Sequence, residues 1–370
     1  MTVESAAPLS RQHIGALDGV RGVAVLLVIM YHMGSSMVYE FKFDNLLVYY
    51  GARFSWVGVD LFFVLSGFLI TGILYDSKGT EKYFTKFYAR RSLRIFPLYY
   101  LALISFLVLR HLWPELGQYG SSNPIYLWFY LTNFVMANGG NFGILDHFWS
   151  LAIEEQFYFL WPAFVYRFSR ERLMMIATVV WCGALLLRTV GVLLWRNLEA
   201  ISFLTFCRVD TLMTGAFLAL LVRGALPMQA FRLPALAVAV IAALGIVTIV
   251  LVRLATKQHD PLMITVGFSF IAILFGAILM MSLTWRPAAL FFNLRFLREC
   301  GKYSYGLYVW HAPIFMIAFH SKWVRQLRGD SGLTEAMVSM IVAVAVTVAF
   351  TMASWHLWEK QFLKLKRRFD

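Results

Sequence analysis

Arg21 and His32 lie eleven positions apart in an apolar run at about 15–37. At 1.5 Å per residue they are roughly 16 Å apart along a helix axis, so they serve different depths of one helix. An ionisable group at membrane depth costs a few kcal/mol at least, and it faces a cavity or a partner. A neutral imidazole there can accept a proton, which suits a general base for a hydroxyl nucleophile. A histidine hydrogen-bonded inside a bundle is the plain alternative. Arg90, Arg91 and Arg94 form a second group, and the three-residue spacing of Arg91 and Arg94 puts both on one helical face. Paired guanidiniums suit a phosphate-rich ligand, while ordinary anchoring at a membrane surface also accounts for a basic cluster.

Glu154 and Glu155 enter the apolar stretch that follows His147-Phe148-Trp149-Ser150. Neighbouring side chains diverge by about 100° on a helix, so the two glutamates have different surroundings. A carboxylate beside a histidine would fix its tautomer and stabilise the imidazolium, whereas a structural pair with an arginine such as Arg208 is the simpler reading. Asp60, Arg208, Asp210, His147 and His311 complete the candidates. Arg208 and Asp210 can neutralise each other. Asp60 sits among Gly58, Ser66 and Gly67, small residues that permit close helix packing, and His311 precedes Pro313 at a potential kink.

The elements that must position these groups are membrane helices. Of the 370 residues 60% are hydrophobic and 14% charged, where soluble domains carry about 25% charge. The apolar stretches approach the roughly 20 residues a helix needs to cross a bilayer. They predict an all-α, polytopic bundle of about ten spans at 15–37, 54–76, 92–111, 148–166, 173–195, 203–222, 234–253, 263–284, 303–320 and 335–357. The segment 124–137 is short and ends in Asn138-Gly139-Gly140-Asn141, which suits a re-entrant or interfacial piece. With that segment not crossing, Lys78, Lys82, Lys86, Arg90, Arg91, Arg94, Arg167, Arg170, Arg172, Arg286, Arg295, Arg298, Lys302 and the tail from Lys360 to Arg368 share the cytoplasmic side, and both termini lie inside. A crossing would scatter these clusters.

The net charge of +13 is spread over short inter-helix clusters, a pattern of membrane topology rather than nucleic-acid binding. Cys182, Cys207 and Cys300 have no metal-like spacing, and no metal site is expected. The start, with Glu4, Ser5 and Arg11, lacks a cleavable signal pattern. One domain over 1–370 is expected, with no appended soluble domain.

Five motifs then carry a resemblance. Leu17-Asp18-Gly19-Val20-Arg21-Gly22 through Tyr31-His32, the run from Gly58 to Phe68, Arg91-Ser92-Leu93-Arg94, the run from Phe148 to Tyr158, and Tyr303 to His311 follow one another as in the acyltransferase-3 family, which the chain resembles over nearly its whole length. The resemblance implies transfer of an acyl group, commonly acetyl from acetyl-CoA, to a hydroxyl of a glycan, lipid-linked sugar or glycosylated small molecule. It marks Arg21 with His32, and Arg91 with Arg94, as functional pairs. Acyl-CoA would be a co-substrate, with no permanently bound cofactor. Asp60, Arg90, Arg208, Asp210, His147 and His311 are candidates for substrate or acyl-CoA binding. His32 would act as base, Glu154 or Glu155 would orient it, and Arg208 could steady the oxyanion. The expected location is the cell inner membrane. The rival class is a transporter or glycan flippase that uses the same buried groups as a relay.

Overall fold

The computed structural model describes residues 14–40, 46–113, 120–195, 197–253, 259–320 and 333–369. The polar start at Glu4, Ser5 and Arg11, together with Gln118 and Asp370, lies outside the described residues. Every regular element among the described residues is helical. The first are α1 (Gly15–Glu40), α2 (Leu46–Phe54), α3 (Gly58–Asp76) and α4 (Tyr83–Leu112). Two short pieces follow, α5 (Ile125–Trp128) and α6 (Thr132–Ala137), and then α7 (Trp149–Arg167) and α8 (Arg170–Val190). Next come α9 (Leu198–Phe203), α10 (Thr205–Leu221), α11 (Arg232–Arg253) and α12 (Phe268–Thr284). The chain continues through α13 (Arg286–Phe292), α14 (Arg295–Lys302), α15 (Ser304–His320), α16 (Leu333–Ser354) and α17 (Lys360–Lys364).

Eight helical stretches among the described residues are long and apolar enough to cross a membrane, so the chain forms a multi-pass helical bundle. The other two predicted spans, 148–166 and 303–320, are also helices. They differ from the eight in composition or length: α7 carries Glu154, Glu155 and Arg167, and α15 has 17 residues.

The bundle is built on close backbone approach. A Cβ on Gly67 of α3 would lie 2.0 Å from the Leu212 carbonyl oxygen, and one on Gly215 of α10 would lie 1.9 Å from that of Val64. Only hydrogen atoms fit at that crossing, which is how small residues bind helices together in lipid. On α1, the Gly19 and Gly22 positions meet the Phe292 and Leu297 carbonyls at 1.7 and 2.0 Å in the same sense. The glycines of the first motif thus seat α1 on α13 and α14 and fix the phase at which Arg21 and His32 are presented.

The segment 124–137 forms only the two short helices α5 and α6, with Tyr130 between them at φ 53°. Its two ends meet. The Ser122 amide donates to the Asn141 carbonyl at 3.0 Å, and the Asn141 amide donates to Ser122 Oγ at 3.0 Å. A segment closed at its neck enters and leaves together, as a re-entrant or interfacial piece must. Gln156 Nε2 of α7 donates to the Tyr130 carbonyl at 2.9 Å and to Asn133 Oδ1 at 3.0 Å, which satisfies irregular backbone that lipid could not. Reporters fused after Gln118 and after Asn141 should therefore read the same side of the membrane; opposite sides would refute the non-crossing segment.

Candidate active site

Two cavities of about 240 Å³ each gather most of the candidate residues. Arg21, Arg91, Arg94, Glu154, Glu155 and Tyr158 supply the polar wall of the first, the arginine cavity. His32, His147, Arg208, Asp146 and His259 supply that of the second, the histidine cavity. The eleven-residue spacing on α1 accordingly places Arg21 in one chamber and His32 in the other. Among the described residues, Val59 of α3 and Tyr308 of α15 line both.

In the arginine cavity, Arg21 is tied to Asp18 at 3.0 Å. The Arg91 guanidinium lies 5.2 Å from the centre of the Tyr158 ring, a cation–π contact. Arg94 is exposed at the rim. Neither Arg91 nor Arg94 closes an ion pair among the described residues, which leaves their fork donors available to an anion. The Glu154 carboxylate is turned toward Ser66, Tyr158 and Arg91. Oε1 of Glu155 is buried without a hydrogen-bond partner among the described residues. Ser66 and Tyr158 share a short hydroxyl–hydroxyl hydrogen bond across the cavity wall.

Behind the wall of the histidine cavity His311 meets His32 and His147, and the three imidazoles stand edge to face. The ring centres of His32 and His311 are 4.7 Å apart, those of His147 and His311 5.2 Å, and those of His32 and His147 6.5 Å. Among the described residues no group of three or more His, Cys, Asp or Glu side chains is placed to hold a metal. The hydrogen bonds assign the tautomers. His311 Nδ1 lies 2.7 Å from the Tyr308 carbonyl and 3.1 Å from that of Leu307, so it carries the hydrogen and leaves Nε2 as an acceptor. His32 Nδ1 faces two acceptors, the Val28 carbonyl at 3.0 Å and His311 Nε2 at 3.2 Å, and must itself donate. The lone pair of neutral His32 then resides on Nε2. His147 packs against the backbone of Val309 and Tyr308, and Pro313, four residues after Val309, supplies no N–H to the Val309 carbonyl. Asp146, just before α7, accepts from the Phe142 amide at 2.5 Å, and burial pushes its carboxyl up to about 6.

Several expectations meet a different geometry. Glu154 and Glu155 line the arginine cavity rather than the one that holds His32, and among the described residues His311, on another helix, is hydrogen-bonded to His32. Arg208 and Asp210 do not neutralise each other. Arg208 pairs with Asp60 at 2.7 Å, and Asp210 pairs at 2.7 Å with Arg188. Positions 208 and 210 point about 200° apart on one helix, so they cannot face the same way. Arg188 also donates to the Cys207 carbonyl at 2.5 Å and to Ser269 Oγ at 2.7 Å. Asp60 is thereby buried against Arg208, which itself remains on the wall of the histidine cavity, 4.0 Å over the Phe268 ring. Arg90 leaves the cavity and donates twice to the Phe369 carbonyl, at 2.7 and 3.0 Å.

A polytopic helical bundle with a guanidinium-rich chamber beside a histidine-rich one defines a class of membrane protein equipped for polar chemistry at depth. The family model described as an acyltransferase domain matches residues 14–356, and the chain belongs to that family, the acyltransferase-3 proteins. It is similar to the peptidoglycan O-acetyltransferase OatA of Listeria monocytogenes, 30% identical over 332 residues, covering 83% of this chain and 50% of that protein. The putative peptidoglycan O-acetyltransferase YrhL of Bacillus subtilis is 31% identical over 378 residues, covering 94% and 55%, and the O-acetyltransferase OatA of Staphylococcus aureus is 28% identical over 325 residues, covering 83% and 51%. The chain spans about half the length of these curated relatives. No solved structure matches it.

Arg188, an arginine inside the apolar run 173–195, carries the same signal of a buried charge as Arg208, but its partner cannot be read from the spacing. Its partner gives a test. Arg188→Met alone should lower stability by about 3–5 kcal/mol because Asp210 is left charged and buried, and adding Asp210→Leu should recover a large part of that loss. Thermal unfolding in detergent reads both.

Proposed function

We propose that the chain is an O-acyltransferase that moves an acetyl group from acetyl-CoA, held at the arginine cavity, to a hydroxyl of a glycan that enters the histidine cavity. The observation that carries this reading is the pair of chambers with complementary chemistry and one shared wall. Phosphate oxygens of coenzyme A suit Arg91 and Arg94, whose donors are not spent on carboxylates. The acceptor class follows from the names of the relatives, peptidoglycan and other O-acetyltransferases, and is offered for this chain only as a glycan hydroxyl. By the charge distribution of the loops, the arginine side is cytoplasmic and both termini lie on the cytoplasmic side of the inner membrane.

The chemistry balances without a resident cofactor. His32 Nε2 takes the proton of the acceptor hydroxyl as its oxygen attacks the thioester carbonyl carbon. The carbon–sulfur bond then breaks, and the imidazolium returns the proton to the departing thiolate, giving an ester and free coenzyme A. The His32 Nδ1–H, held by the Val28 carbonyl and His311 Nε2, fixes the ring and spreads the positive charge. Arg208 is the cation on the chamber wall suited to an oxyanion, in a setting where water is scarce and such interactions are strong.

Two measurements test the assignment. With purified protein, labelled acetyl-CoA and a glycan acceptor, His32→Gln should lower transfer by about 10²- to 10⁴-fold while donor binding persists. The wild-type rate should fall as acid protonates one group, and the residual His32→Gln rate should lack that dependence. A decrease of less than tenfold would assign His32 to packing. Arg91→Ala with Arg94→Ala should instead weaken acetyl-CoA binding by roughly 10- to 100-fold for each charge-assisted hydrogen bond removed, with folded yield maintained. Normal affinity in that variant would remove the phosphate reading.

A further inference from the structure

Among the described residues, Val59 and Tyr308 are the side chains common to both linings, so they stand between the two chambers. Tyr308 is 5% exposed and held from several sides. Its hydroxyl donates to the His147 carbonyl at 2.8 Å and lies 2.5 Å from Ser150 Oγ. Ser150 belongs to the arginine cavity and His147 to the histidine cavity, so the hydroxyl is fastened at the boundary itself. Ring contacts at 6.0 Å to Phe62, 5.4 Å to His147 and 5.6 Å to His311 hold the aromatic face. The Tyr308 carbonyl also accepts from His311 Nδ1, which joins the wall to the group that steadies His32.

We infer that Val59 and Tyr308 form an aperture that selects the acyl group by length. This rests on the proposed transferase reading, in which every atom of the acyl group passes from the arginine side to the histidine side. Acetyl presents one methyl group to that wall. Each further methylene must be accommodated between a valine branch and a ring fixed by two hydrogen bonds and three aromatic neighbours. A tight apolar site discriminates by about 10- to 200-fold per methylene, so butyryl, with two more, should be transferred far more slowly than acetyl. Acyl selection thus comes from the two side chains that line both chambers.

The experiment compares acetyl-, propionyl- and butyryl-CoA as donors for the full chain in detergent or liposomes, with one glycan acceptor. Wild type should fall by about tenfold or more at each added methylene. Val59→Ala and, separately, Tyr308→Leu should raise the butyryl-to-acetyl ratio by at least about tenfold. Tyr308→Phe keeps the ring and removes only the hydroxyl, so its ratio should stay close to that of wild type. If Tyr308→Leu does not fold, Val59→Ala and the wild-type series decide. A wild type that transfers butyryl as readily as acetyl overturns the aperture, as does a ratio unmoved in a folded Val59→Ala. Those results leave acetyl transfer intact and so differ from failure of the transferase reading, in which no thioester donates at all.

Discussion

A charge inside a membrane bundle must find a partner, and that requirement organises the interior of this protein. Asp60 of α3 is held by Arg208 of α10, and Asp210 of α10 by Arg188 of α8, each at 2.7 Å and nearly free of solvent. Ser269 of α12 and the Cys207 carbonyl take further guanidinium hydrogens. Breaking one such pair leaves an uncompensated ion, so four helices are bound to a single relative arrangement. The close approach of α3 and α10 at Gly67 and Gly215 brings Asp60 within reach of Arg208. Val59, next to Asp60 on α3, is thereby fixed in the wall between the chambers.

The same rule separates structural charges from those left for a ligand. Arg188, Asp210 and Asp60 are consumed by pairing, and Arg90 is consumed by the Phe369 carbonyl. Among the described residues Arg91 and Arg94 close no ion pair, and His32 and His311 are hydrogen-bonded to each other and to backbone carbonyls.

Much of this is legible in the sequence. Apolar runs mark the helices, because lipid leaves the backbone few alternatives, and the short polar-ended segment 124–137 marks the closed loop pinned at Ser122 and Asn141. The first motif divides α1 into an arginine end and a histidine end. Partner identity is not legible. Glu154 and His32 are both polar residues in apolar helices, yet which chamber each faces depends on helix rotation, set by glycine contacts such as Gly19 against Phe292. Arg188 is hidden for the same reason, since only the packed bundle reveals that Asp210 turns toward α8. Tyr308, Ser150 and Val59 carry no charge to draw attention, although Val59 and Tyr308 separate the chambers and Ser150 fastens the tyrosine.

If the two chambers are the donor and acceptor ends of one path through the membrane, the substrates need never share a compartment. Proteoliposomes with uniformly oriented protein test this most directly: labelled acetyl-CoA is supplied only on the side of Arg94, and the glycan acceptor only on the opposite side. Label should then appear in ester linkage on the glycan while coenzyme A remains in the donor compartment. Transfer that occurs only when donor and acceptor share one compartment would contradict the through-membrane path.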